Sequence, residues 1–346
     1  MRSLGDGARA RIAVVGAGAI GSLFAAHLAR VAEVHILVRR QAHADAINEN
    51  GLRISGKADF VARPHATSDA RTLPPCDLLV LSTKATDLDE AMLPLEGHDA
   101  GAVVMTTQNG LGAEEIVGRH GPWRVISGVT FMSGIRHRDD HVEYELDAPT
   151  WIGPGEHAPA PWPLVQDVAR LVEAAGLHIE AMADVRPAKW SKLIFNATVN
   201  GVAALTGLPH DHHFGEEAQL ADLGHLVHEL MEEGKNVAAS IGVELYEDPW
   251  EMNLQAIKRG ETAAGSYRHY PSMLEDVLAK RRTEVDFITG QLVRAGLRGG
   301  VDVSLHLALY RLIRGKEAPA LSPGERLSGP ALPGGWPLAS SDSPQG

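Results

Sequence analysis

Lys192, Asn196 and Asn200 are the polar breaks in an otherwise apolar stretch, WSKLIFNATVNGVAALTG at 190–207. A step of four residues rotates a side chain by only about 40° on an α-helix. One ammonium and two amides therefore share a single helical stripe, with apolar residues on the other faces. Burying such a stripe is unfavourable unless something polar lies opposite. An ammonium so placed can stabilise a developing negative charge and deliver a proton. The competing interpretation is a solvated face, the usual place for lysine and asparagine.

A second chemical signal comes near the N-terminus. Gly16-Ala17-Gly18-Ala19-Ile20-Gly21 has the G-x-G-x-x-G spacing, follows the apolar strand RIAVV and opens the helix SLFAAHLARV. That context makes the spacing a dinucleotide fingerprint. Gly16 permits the tight turn, Gly18 lets backbone approach a pyrophosphate, and Gly21 lets helix pack on strand. Free N–H groups around Ala19 and Ile20 then face the phosphates at the positive end of the helix dipole. Without a ligand, the same residues would be only a small-residue turn.

Nucleotide choice is read at the end of the second strand. An acidic residue there would hold a ribose 2′-hydroxyl, but this chain has Val38-Arg39-Arg40. A guanidinium suits a 2′-phosphate, and Lys84, after LLVLST, offers a second positive charge, so NADP is the expected cofactor. The alternative is that Arg39, Arg40 and Lys84 are ordinary surface residues. Further along, PSMLED at 271–276 and RTEVD at 282–286 are read as one helical segment. On such a helix Asp276 and Glu284, eight residues apart, would differ by about 80° and approach a common cleft.

These groups need a scaffold, and 346 residues suffice for two domains. From residue 11 strand and helix alternate: RIAVV, EVHILVRR, CDLLVLSTK and AVVMTTQNG are strands, and RVISGVTFMSG and HVEYELDAPTWIG add an antiparallel portion. The pattern is α/β, a Rossmann-type doubly wound sheet over residues 9–183. Residues 184–320 carry helical periodicity alone and form an all-helical C-terminal domain for substrate and catalysis. Residues 321–346, dense in Gly, Pro and Ser, are expected to be a flexible tail.

The composition, 44% hydrophobic and 22% charged, is globular, and a net charge of −12 argues against nucleic acid or anionic membrane as partner. No uninterrupted apolar run reaches membrane-spanning length. The single cysteine, Cys76, excludes an internal disulfide framework and reads as a small buried hydrophobe. A cytoplasmic setting is the default. His210-Asp211-His212-His213 has metal-ligand types, but neighbours on one loop rarely converge on one ion, so no metal is expected.

Taken together, the motifs resemble those of the ketopantoate reductases (2-dehydropantoate 2-reductases), which use NADPH to reduce a 2-oxo acid in the pantothenate pathway. The resemblance runs over roughly residues 11–315. It includes the fingerprint, Arg39, STK ending at Lys84, QNGLG at 108–112, the K-x-x-x-N-x-x-x-N stripe and SMLEDVLAKRRTEVDFITG. It implies that Lys192 is the catalytic lysine and Glu284 its partner carboxylate. Asn196, Asn200 and Ser272 match substrate-binding positions, and Asn109 one near the nicotinamide ribose and reacting carbonyl. Arg39 and Lys84 match residues that recognise the NADP phosphate. For Ser272 the competing role is a helix cap. Glu275-Asp276 stands where many members have Q-D, Lys280 where a small residue is common, and Ile288-Thr289-Gly290 replaces I-N-G.

The resemblance implies reduction of ketopantoate to pantoate with Lys192 as general acid. Two alternatives accompany it. One is a paralogue acting on another 2-oxo acid or an imine. The other is a redox sensor that binds NADP without turnover, for which Lys192 and Glu284 would be superfluous. A homodimer is the expected assembly, with substrate entering between the domains.

Overall fold

The computed structural model describes residues 10–98, 101–215, 222–262 and 270–321. The tail expected from residue 321 lies, beyond Leu321, outside these. The chain divides into two compact units. One runs to Lys192 and includes Leu245–Glu247; the other comprises Leu193–Glu244 and the chain from Asp248 onward.

In the first unit the chain runs β1 (Arg11–Val15), α1 (Ala19–Leu28), β2 (Glu33–Leu37), α2 (Gln41–Asn50), β3 (Leu52–Gly56), β4 (Phe60–Ala62), β5 (His65–Thr67) and β6 (Leu78–Leu81). It continues through α3 (Leu88–Met92), β7 (Val103–Thr106), α4 (Ala113–His120), β8 (Arg124–Thr130), β9 (Ser133–Arg138), β10 (His141–Leu146) and β11 (Thr150–Pro154). α5 (Trp162–Ala174), β12 (Ile179–Ala181) and the start of α6 (Arg186–Thr206) follow.

Eight strands form one sheet in the order β12-β11-β8-β7-β6-β1-β2-β5. From β5 to β8 all neighbours are parallel, and β11 pairs antiparallel with β8. β1, β6 and β7 are continuous apolar runs because both faces of the sheet are covered.

The expected antiparallel portion is divided differently. Arg124–Thr130 joins the parallel set, whereas β9 and β10 leave for a second sheet, β4-β3-β10-β9, in which β10 runs parallel to β3. α1 is buried along most of its length because the core includes residues of both sheets, among them Val14 and Ile36 from one and Leu52, Ile54 and Val142 from the other. His27, a polar residue in this apolar helix, bonds through Nδ1 to the Ala175 carbonyl at 3.1 Å and lies edge-on to Phe60 and Tyr144. Burial holds its pKa below the ordinary imidazole value.

The second unit holds the remainder of α6, then α7 (Asp222–Ser240), α8 (Pro249–Thr262), α9 (Ser272–Leu278), α10 (Thr289–Gly299) and α11 (Ser304–Glu317). No described helix is long and apolar enough to cross a membrane.

The helix expected to continue through 271–290 is broken. α9 ends at Leu278, Lys280 takes a left-handed φ of 55°, and helix resumes only at Thr289. The 80° relation between Asp276 and Glu284 therefore does not hold. Tertiary bonds hold the break open: Glu317 accepts from the Thr283 hydroxyl at 2.7 Å and its backbone N–H at 3.0 Å. Tyr310 donates to Asp286 at 2.7 Å, and Arg282 and Arg314 flank the same carboxylate.

Candidate active site at the carboxyl edge of the sheet

The chain passes from β1 to β2 on one side and later to β6 on the other, so the sheet order reverses between β1 and β6. In open α/β sheets, ligands bind outside the carboxyl ends of strands at such a switch point. The three turns after β1, β6 and β7 meet there and are laced together. Ser82 N–H donates to the Val15 carbonyl at 2.9 Å, and Thr107 N–H to the Leu81 carbonyl at 3.1 Å. The Gln108 amide donates to the Leu81 and Thr83 carbonyls at 3.0 and 3.1 Å. Gln108 thus anchors the turn that presents Asn109, which is partly exposed. Motif reading singled out the asparagine and passed over its anchor.

The three fingerprint glycines answer to different demands. Gly16 has φ +96°, and a Cβ there would lie 2.9 Å from the Thr83 backbone nitrogen. At Gly21 a Cβ would lie 2.0 Å from the Gly16 carbonyl oxygen. Gly18 is different: its φ is an ordinary −69°, and an added Cβ would meet nothing within 4 Å. No atom of the described residues explains that glycine, whereas a pyrophosphate approaching the backbone would. Gly18 is also the N-cap of α1, and no acidic side chain occupies the first turn, so the helix dipole faces outward unopposed. The residues present therefore fit a dinucleotide. Arg39 is exposed at the end of β2, and Lys84 is half-buried beyond β6.

Lys192 lies on the first unit's portion of α6. Its Nζ donates to the Thr130 carbonyl at the end of β8 and sits 5.0 Å from the centre of the Phe131 ring. β8 runs parallel to β7 and extends beyond it, so Thr130 belongs to the same carboxyl edge as Gly16, Ser82 and Asn109. A carbonyl oxygen and an aromatic face are both favourable to a cation.

One turn earlier on the helix, Lys189 is engaged in a way the sequence did not signal. Its Nζ donates to Glu114 at 2.9 Å and to the Ser127 hydroxyl at 2.7 Å, and Glu114 also accepts from the Glu156 N–H at 2.7 Å. Burial pushes the Glu114 carboxyl upward, but Lys189 and these hydrogen bonds outweigh it and hold the pKa below the usual range. The partners are 75 residues apart, so no local pattern could have revealed them.

In the second unit, α6 continues without interruption through Asn196 and Asn200, which keep the helical spacing of the stripe. They are 9% and 5% exposed, and neither amide hydrogen-bonds to a described residue. Neither amide is among the fully buried polar atoms without a partner, so each keeps an accessible polar atom for a ligand. Glu284 is buried in the turn before α10, its carbonyl accepting from the Phe287 and Ile288 N–H groups at 3.0 Å. Ser272 is exposed as the first residue of α9; the cap position is Pro271, so the capping role considered for Ser272 is not the one it takes. Asp276 is committed to the chain itself, pairing with Arg281 at 3.0 Å across the end of α9.

His210 bonds to Asn253 at 2.8 Å, and Asp211 caps the following turn by accepting from the His213 N–H at 3.0 Å. Asp211, His212 and His213 place their ligand atoms within 4.8 Å of one another, yet Asp211 is already bonded to the His213 ring at 2.7 Å.

Comparison with known proteins agrees with this arrangement. Residues 12–157 match the family model for ketopantoate reductase PanE/ApbA, and residues 184–317 match that for its C-terminal part. A 2-dehydropantoate 2-reductase of Archaeoglobus fulgidus is 30% identical, covering 89% of this chain and 98% of its own. One from Pyrococcus horikoshii is 29% identical with the same coverage. The crystal structure of a PanE/ApbA family ketopantoate reductase from Ralstonia eutropha superposes with a TM-score of 0.76 at 28% identity, covering 90% of this chain and 99% of that one.

Proposed function

The chain belongs to the ketopantoate reductase family of pyridine-nucleotide-dependent oxidoreductases, and on that premise we propose that it reduces ketopantoate to pantoate with NADPH. The observation that carries this reading is the polar stripe of α6. An ammonium rests on a backbone carbonyl at the sheet's carboxyl edge, and two asparagine amides follow at helical spacing with no hydrogen bond to a described residue.

When bound, the reduced nicotinamide supplies the hydride. The work of the chain is electrostatic and positional. Negative charge grows on the ketone oxygen as the carbonyl carbon is reduced; Lys192 meets that charge and donates its proton to the oxygen. Its hold on the Thr130 carbonyl pre-orients the ammonium. Asn196, Asn200 and Ser272 bind the carboxylate and hydroxyl of the oxo acid and fix the carbonyl for attack. Glu284 is the partner carboxylate of Lys192. Asn109 serves both nicotinamide ribose and substrate. Gly16, Gly18, Ala19, Ile20 and Gly21 receive the pyrophosphate, and Arg39 and Lys84 the 2′-phosphate. Residues 9–183 are then the nucleotide domain and 184–320 the substrate domain.

The test is NADPH oxidation by the purified protein with ketopantoate, other 2-oxo acids, and an oxo acid plus an amino acid. Ketopantoate is expected to give the highest kcat/KM. A hundredfold preference for another oxo acid would displace the substrate, and no oxidation with any of them would leave a nucleotide-binding sensor.

A further inference from the structure

Two arginines close β2, and their surroundings divide them. Arg39 is exposed and makes no ion pair with a described residue. Arg40, the N-cap of α2, donates through Nη2 to both carboxylate oxygens of Asp139, at 2.6 and 2.8 Å. Asp139 lies in the turn between β9 and β10, so the second sheet reaches back to grip the end of β2. The same carboxylate takes Arg136 at 3.3 Å, and His43 stands 3.9 Å away. Burial holds the His43 pKa down, which leaves the two guanidinium groups as the main counter-charges of Asp139. The start of α2 is where this fold reads the adenosine ribose, and an arginine there accommodates a 2′-phosphate. Asp139 occupies one of the two candidates through a single nitrogen that contacts both carboxylate oxygens, in a pair that is itself solvent-exposed.

Resting on the NADPH reading above, we propose that Asp139 withholds Arg40 from the nucleotide's 2′-phosphate, so that Arg39 carries the preference for NADPH and Asp139 sets its strength. Asp139 is a specificity-determining residue that need not touch the cofactor. It acts by engaging a competing cation.

The experiment is titration of the full-length protein with NADPH and with NADH by nucleotide fluorescence, with no substrate present. Arg39→Ala is expected to weaken NADPH binding by about tenfold or more, because a charge-assisted bond is lost, and to leave NADH binding unchanged. Arg40→Ala is expected to stay within about twofold of wild type for both nucleotides. Asp139→Asn, with Asp139→Ser as a second variant, is expected to tighten NADPH binding about three- to fivefold, the range of an exposed ion pair, without changing NADH. The double variant Arg40→Ala/Asp139→Asn should lose that gain. If Arg40→Ala weakens NADPH as much as Arg39→Ala does, or if the gain survives in the double variant, Arg40 is not withheld and the proposal falls alone. If Arg39→Ala affects NADPH and NADH equally, the NADPH reading falls and takes this proposal with it.

Discussion

Lys189 and Lys192 stand one turn apart on α6 and both reach towards the same sheet, yet their surroundings assign them different tasks. Lys189 is almost fully buried between Glu114 and Ser127, its ammonium matched by a carboxylate in the first turn of α4. Lys192, also partly buried, holds a backbone carbonyl beside an aromatic face. The first arrangement fixes a helix in place and gives little reason for the proton to leave. In the proposed reaction the second orients a proton donor at the carboxyl edge of the sheet. On the proposed function, Lys189 is the structural lysine of the two and Lys192 the acid.

The largest effect that would break this comparison is on turnover. Lys192→Ala should lower kcat roughly 10²–10⁴-fold, as loss of a general acid does, while nucleotide binding and the unfolding midpoint stay near wild type. Steady-state kinetics and thermal melting read the two quantities. Lys189→Met should do the opposite. Glu114 would be left buried and unpaired, and stability should fall by about 3–5 kcal/mol in urea unfolding. A folded Lys189→Met protein with no turnover, beside an active Lys192→Ala, would exchange the two roles.

A sharper probe is pH. The Glu114 pKa is depressed in the folded state. Its contribution is therefore present above the carboxylate's unfolded pKa and is lost as pH falls through the folded value. The stability gap between wild type and Glu114→Gln should narrow from neutral into acid pH. A gap that does not change would show that the pair is not ionised. The smallest expected effect is that of Ser127→Ala, about 1 kcal/mol for one hydrogen bond to a group that keeps its carboxylate partner.

What the sequence revealed and what it hid follow the same division between local and distant causes. β1, the fingerprint turn and α1 are legible because each needs only its own residues: an apolar run, a small-residue turn, a helix. The stripe at Lys192, Asn196 and Asn200 is legible for the same reason, since helical spacing is local. The second sheet is not, because β10 finds its parallel partner β3 nearly ninety residues earlier, and β4 has only three residues. The break after Leu278 is hidden too. Its residues have helical periodicity, but Glu317 and Tyr310 on α11 draw Thr283 and Asp286 out of it. The Lys189–Glu114 pair left no pattern because its logic exists only once α4 and α6 are folded.

The open space at Gly18 has a consequence for chains descended from this one or from its kin. Glycine at 16 and at 21 is enforced by the turn itself, so those positions must persist for as long as the fold does. Position 18 is enforced only by a visitor. A lineage that abandoned the nucleotide would be free to acquire a side chain there while keeping its shape, so an occupied position 18 between two retained glycines would mark a site that has been retired.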